Sequence, residues 1–391
     1  MDSAVFLFSC HLSFPLPCVI IDLIFHKGGL FLPPLTLLIK PASGHCNMRC
    51  QYCFYADEMH CRTEALRGMM SSETLETIIS QAAAYAEGYI NCVFQGGEPT
   101  LVGLDFYREL ILLQKKYSRS GLHFSNSLQT NGLLIDDDWA QFLSENHFLT
   151  GLSLDGTADL HDSFRPDSAG HGTFRRVLAA AQLLKKHKAE FNILCVISNP
   201  AARHGAKIYR TLTDYGFEWL QFIPCIPPLD GSSRPFDLTP QRYLDFLLAV
   251  FSCYEKDRLS GKHISIRFFD DILRRLAGQP ITGCGMNGRC YLSFTIESDG
   301  DVYPCDFYAI DRYLLGNIHE NSFSALADSE PAKRFLEESF QLPSECSSCE
   351  FSPLCRGGCR RDRDAGAHLS HNRWCRVYRE FYKTILSTHQ H

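Results

Sequence analysis

The chain has 391 residues, 45% of them apolar and 21% charged, and a formal net charge of −6 with acidic and basic residues mixed along its length. A chain this long buries a large core and divides into more than one domain, and its composition is that of an ordinary globular protein. The charge balance leaves no basic footprint and excludes a nucleic-acid binder as the first expectation. Cysteine is the anomaly: of eighteen, eleven stand in motif-like spacings, while Cys10, Cys18, Cys61, Cys92, Cys195, Cys225 and Cys253 are scattered among apolar residues, as buried inert thiols are. Clustered cysteines in a chain of this size point to metal in a reducing compartment, the cytoplasm, rather than to a disulfide scaffold.

In chain order, residues 1–34 are apolar but have no positive n-region and no A-x-A-like site, so they do not read as a secretory signal. Asp22, His26 and Lys27 interrupt the run and Pro15 and Pro17 break it, which argues against a membrane span and for an extension of unknown role. From 35 to 224, β-like and helix-like segments alternate. Strands are expected at 35–40, 89–95, 123–129, 148–154, 191–197 and 218–223, with amphipathic helices between them. Ser71 or Ser72 is the expected N-cap of the helix ETLETIISQAAAYA. This alternation predicts an α/β fold, a partial (β/α)6 TIM-like barrel over 35–235.

Polar motifs follow the strands, where such barrels gather their chemistry. After the first comes KPASGHCNMRCQYCFYADE, with Cys46, Cys50 and Cys53 spaced C-x3-C-x2-C. Three thiolates on one loop can hold three irons of a 4Fe-4S cube and leave the fourth open, although Cys50 and Cys53 alone would also fit a zinc loop or a redox pair. GGEPT follows the second strand, QTNG the third, and SLDG the fourth, with His161 and Arg165 beyond it. Gly96 and Gly97 fit either a close backbone approach to a ligand or a tight turn with positive φ.

Residues 225–235 are rich in Pro, Gly and Ser, and 236–283 reads as a helical bridge with no legible chemistry. The last segment, 284–391, holds Cys284, Cys290, Cys305, Cys346, Cys349, Cys355, Cys359 and Cys375, enough for two four-cysteine sites of iron-sulfur or zinc type.

Taken together, the C-x3-C-x2-C loop with Tyr52 before its last cysteine, GGEP and SLDG resemble the radical S-adenosylmethionine (SAM) enzymes. The C-terminal pattern resembles the SPASM iron-sulfur domain that follows such barrels. PLTLLIKPAS, FQGGEPTL, LQTNG, HDSFRP, LQFIPC, YPCDFY and LCRGGCRRDR are closer still to the anaerobic sulfatase-maturating enzymes, over roughly residues 33–380. The resemblance implies three 4Fe-4S clusters, one on Cys46, Cys50 and Cys53 that also binds SAM. Of the two auxiliary clusters, one would sit on Cys284, Cys290, Cys305 and Cys359, the other on Cys346, Cys349, Cys355 and Cys375. Spacing alone leaves other partitions of these eight open. By the same resemblance Tyr52 meets the adenine, Gly97 the methionine end, Ser153 the ribose and Arg165 the SAM carboxylate, with Ile226 lining the adenine pocket.

The implied reaction is oxidation of a cysteine or serine in an unfolded sulfatase to Cα-formylglycine, begun when a 5′-deoxyadenosyl radical takes a hydrogen from Cβ. Asp306 matches the family's catalytic aspartate and would remove the thiol or hydroxyl proton; the plainer reading is a turn aspartate capping backbone. Tyr55 and Gln95 are candidates for positioning the substrate. A low-potential donor such as flavodoxin or ferredoxin would supply electrons, and neither nucleic acid nor membrane is an expected partner. The alternative within the same architecture is a SPASM-type maturase that forms thioether or carbon–carbon crosslinks; outside it, a zinc-binding interaction protein.

Overall fold

The computed structural model describes residues 34–364 and 371–389. The proposed extension lies, apart from Pro34, outside the described residues, as do Cys10 and Cys18. Strands form at β1 (Leu35–Ile39), β2 (Tyr89–Phe94), β3 (His123–Thr130), β4 (Leu149–Ser153), β5 (Phe191–Ile197) and β6 (Trp219–Pro224). They pair in sequence order, all parallel, with helices in the crossovers. The helices form where the apolar spacing is three and four: Phe174, Val177, Ala181 and Leu184 of the helix Phe174–Lys186 are all buried against the sheet. Of the two expected caps, Ser71 is the one used, its hydroxyl accepting from Thr74 N at 3.0 Å and satisfying one of the helix's open donors.

The sheet runs past these six strands. β7 (Ser265–Ile266) adds in parallel to β6, so the 236–283 stretch is more than helical; its two residues are too short to show a strand pattern. At the other edge β8 (Thr295–Ile296) pairs in parallel with β1, then β9 (Asp301–Tyr303) and β10 (Gly316–Asn317) follow antiparallel. Among the described residues this makes one open ten-stranded sheet, a partial barrel whose first strand carries the cysteine-rich C-terminal module directly. The helix Cys375–His389 returns to pack on Pro240–Leu259, through Phe251 against Phe381 with ring centroids 5.6 Å apart. Tyr243 meets Trp374 at 4.8 Å in the same seam. The bridge and the C-terminal module therefore share one apolar core.

Of the scattered cysteines within the described residues, Cys92, Cys195 and Cys225 are buried and Cys253 is partly so. Cys61 departs from expectation and is exposed: it caps the helix Phe54–His60 at its C-terminus, where the chain turns outward.

Candidate active site

The loop after β1 is stitched on two sides by backbone hydrogen bonds. Gly97 N donates to Ser43 O (2.8 Å) and Glu98 N to His45 O (2.7 Å), while Arg49 N and Gln51 N donate to Pro166 O and Phe164 O at 2.9 and 3.0 Å. A Cβ on Gly97 would lie 2.1 Å from His45 O, so glycine is required there by the close approach of the two loops. Gly96, at φ 117°, supplies the turn. Cys46, Cys50 and Cys53 are thus presented together. Burial pushes the Cys46 thiol up to about 12 and that of Cys50 up to about 11.

Two buried carboxylates hold the surrounding loops. Glu98 Oε1 accepts from Thr100 N, Thr100 Oγ1 and Thr130 Oγ1, and its Oε2 from Asn131 N, which ties GGEP to QTNG. Asp155 of SLDG accepts from Val196 N (2.9 Å), from Arg165 Nε (2.9 Å) and from the Tyr52 hydroxyl. Arg165 lies over the Tyr52 ring, 5.3 Å from its centroid, and its Nη1 is 3.9 Å from Cys50 Sγ. Tyr52 is stacked on Phe164 at 5.7 Å. His161 Nδ1 accepts from Asp155 N, its Nε2 pairs with Thr173 Oγ1, and Thr173 donates to Arg165 O. Burial holds this imidazole down at about 4, hence neutral. Ser153 ends β4 close by, and Ile226, just past β6, is fixed through its carbonyl, which accepts from Arg234 Nη2 at 2.5 Å.

The eight C-terminal thiols separate into two sets. Cys290, Cys305 and Cys359 all feel the charge of Cys284, whereas Cys355 feels Cys346, Cys349 and Cys375. The second set lines one cavity with Phe351, Tyr378 and Tyr382. All sixteen cysteines within the described residues are free. Nowhere among those residues do three or more His, Cys, Asp or Glu stand close enough to hold a single metal ion. A cube carries each thiolate on a separate iron, three or four per cluster. Donor sets of three and four thiols fit iron-sulfur clusters.

Asp306 lies between the two modules. Its Oδ2 accepts from the Tyr55 hydroxyl (2.9 Å) and from Gln95 Nε2 (2.7 Å), while its buried Oδ1 has no partner. It is therefore no backbone cap, and it keeps one oxygen free, on the residue that follows Cys305. Burial pushes its carboxyl up to about 6, against the pull of Lys40. Sequence reasoning missed the charges beneath it. Lys40 Nζ is 2.7 Å from Glu297 and 3.7 Å from Glu58, and Arg62 bonds both carboxylates, at 2.6 and 3.4 Å. These two cations hold Glu297 down at about 2 although burial opposes it, while burial keeps Glu58 well above the ordinary carboxylate range. The spacing of Glu58 and Arg62, one helical turn apart, was the only local signal of this cluster.

Comparison with known proteins agrees with this geometry. The family model of the radical SAM superfamily matches residues 41–200, and that of an iron-sulfur cluster-binding domain, SPASM, matches 284–350. A cysteine-type anaerobic sulfatase-maturating enzyme of Clostridium perfringens is 45% identical over 356 residues, 90% of this chain and 96% of its own. A serine-type enzyme of Klebsiella pneumoniae is 32% identical over 90% of this chain and 88% of its own. The solved structure of native anSMEcpe with bound AdoMet and Cp18Cys peptide superimposes with a TM-score of 0.86 at 44% identity, covering 91% of this chain and 98% of that one. With a radical SAM barrel, a SPASM module and relatives this similar along nearly the whole chain, the protein belongs to the anaerobic sulfatase-maturating enzymes.

Proposed function

We propose that the protein oxidises the cysteine of an unfolded sulfatase segment to Cα-formylglycine, with Asp306 as the base. The observation that carries this reading is the arrangement of Asp306, the residue that follows Cys305 in the chain: one oxygen held by Tyr55 and Gln95, the other buried and unpartnered. When bound, SAM and the three 4Fe-4S clusters supply a 5′-deoxyadenosyl radical that takes one hydrogen from Cβ, and an acceptor for the electron left behind. What remains for side chains is the proton on sulfur, within reach of Asp306 Oδ1. Loss of hydrogen atom, proton and electron converts Cβ–SH to a thioaldehyde, which water hydrolyses to the aldehyde and hydrogen sulfide.

In this reading Cys46, Cys50 and Cys53 hold the SAM-binding cluster, Cys284, Cys290, Cys305 and Cys359 the first auxiliary cluster, and Cys346, Cys349, Cys355 and Cys375 the second. Arg165 faces the SAM carboxylate, Gly97 its methionine end, Ser153 the ribose, and Tyr52 and Ile226 the adenine. Residues 35–235 form the barrel, 236–283 the bridge and 284–391 the cluster module. A cysteine target is favoured over serine because identity to the cysteine-type relative, 45%, exceeds the 32% to the serine-type one. A low-potential flavodoxin or ferredoxin is the electron donor and the cytoplasm the location, in keeping with cysteines clustered as metal ligands. No helix among the described residues is long and apolar enough to cross a membrane. An unfolded substrate loses chain entropy on binding across the barrel mouth, so its recognition rests on a short segment.

The test is anaerobic incubation of the reconstituted protein with SAM, a reductant and paired peptides carrying C-x-P-x-R or S-x-P-x-R, read by mass spectrometry. Equal amounts of 5′-deoxyadenosine and aldehyde from the cysteine peptide are expected. Preference for the serine peptide would overturn the target assignment, and deoxyadenosine without aldehyde from either would overturn the function.

A further inference from the structure

The carboxyl edge of the sheet carries a buried charge cluster that the proposed chemistry does not use. β8 and β1 pair with Ile296 beside Ile39, so the next residues, Glu297 and Lys40, emerge side by side. β2 lies next to β1 with Phe94 beside Ile39, which brings Gln95 into the same row. The side chains of Lys40, Glu58, Arg62 and Glu297 are each at most 2% exposed. Lys40 and Arg62 together face Glu58 and Glu297, so ion pairing accounts for both buried cations. What Lys40 adds is its place on the face of the Tyr55 ring, 4.8 Å from the centroid. The hydroxyl of that same ring donates to Asp306 Oδ2.

We propose that Lys40 is the positioning residue of Asp306: anchored by Glu297 from the C-terminal module and Glu58 from the cluster-loop helix, its ammonium fixes the Tyr55 ring so that Asp306 Oδ2 stays occupied and Oδ1 faces substrate. This rests on the reading of Asp306 as the base. It makes the register between β1 and β8 part of the active site, since a slip of the C-terminal module would carry Glu297 away from Lys40 and release Tyr55.

The experiment compares Lys40→Met, the charge-neutral double variant Lys40→Met/Glu297→Gln, and Asp306→Asn. Each is reconstituted with its clusters, and the yield of formylglycine per 5′-deoxyadenosine is measured with kcat and KM for the cysteine peptide; thermal melting is followed by circular dichroism. The double variant is expected to melt close to the parent, because one buried cation and one buried anion are removed together and the cluster's net charge is unchanged. Its formylglycine yield per deoxyadenosine falls roughly tenfold through kcat, with KM little changed. Should Lys40→Met fail to fold, the double variant carries the comparison. A double variant that regains both melting and coupling shows that Lys40 only neutralises Glu297, and overturns the proposal. Undiminished product from Asp306→Asn overturns instead the base on which it rests, whereas loss there with normal coupling in the double variant removes only the role of Lys40.

Discussion

The surroundings of the first cysteine loop and the Asp306 junction are built on opposite plans. Around the first cysteine loop the buried carboxylates are saturated: Glu98 accepts four hydrogen bonds, and Asp155 is held by Val196, Arg165 and Tyr52. At the junction three buried carboxyl oxygens, Glu58 Oε1, Glu297 Oε2 and Asp306 Oδ1, have no partner. Three carboxyl groups there face two cations, Lys40 and Arg62. Saturation makes a rigid cradle, the kind of pre-organisation the proposed SAM site calls for. An unsatisfied buried acceptor costs stability, and in the proposed reaction it is Asp306 Oδ1 that takes the substrate proton. The difference separates holding from reacting.

The comparison can be broken at either half. Cys50→Ala, which leaves two thiolates on the first loop, is expected to reduce deoxyadenosine formation to background under anaerobic assay. Asp306→Asn touches only the reacting half: deoxyadenosine should still form while formylglycine falls by about 10² to 10⁴-fold, the usual worth of a positioned base. Equal loss of both products in that variant would mean that the two halves are not separable.

Stability sharpens the contrast. Glu98→Gln keeps the shape but loses acceptors for the buried donors of GGEP and QTNG, at a cost of about 2 kcal/mol in urea unfolding. Neutral His161 gives a pH signature. Its folded pKa of about 4 lies below the ordinary 6.5, so the unfolded chain binds the extra proton in this window. Stability is therefore full above about pH 6.5 and falls as pH drops toward 4, by up to about 1.4 kcal/mol per unit. Unfolding midpoints at pH 7 and pH 5 should differ in the parent and much less in His161→Gln; a parallel pair of curves would remove His161 from the cradle's stability.

What lay in the sequence was whatever follows a local rule. The six strands from β1 to β6, the helix over 72–85 with its serine cap, and the polar loops at the strand ends were legible because backbone period and turn chemistry act over a few residues. The cysteine spacings marked the cluster loops for the same reason: one tight loop offers its thiolates together. Spacing left the division of the eight C-terminal cysteines open, the family resemblance implied one, and the tertiary structure sets Cys359 with Cys284 rather than with its sequence neighbour Cys355, and Cys375 with Cys346. It alone brought Lys40 beside Glu297 and Tyr55 beneath Asp306, because strand register between β1 and a two-residue β8, set by packing of the whole C-terminal module, leaves no periodic trace in either segment.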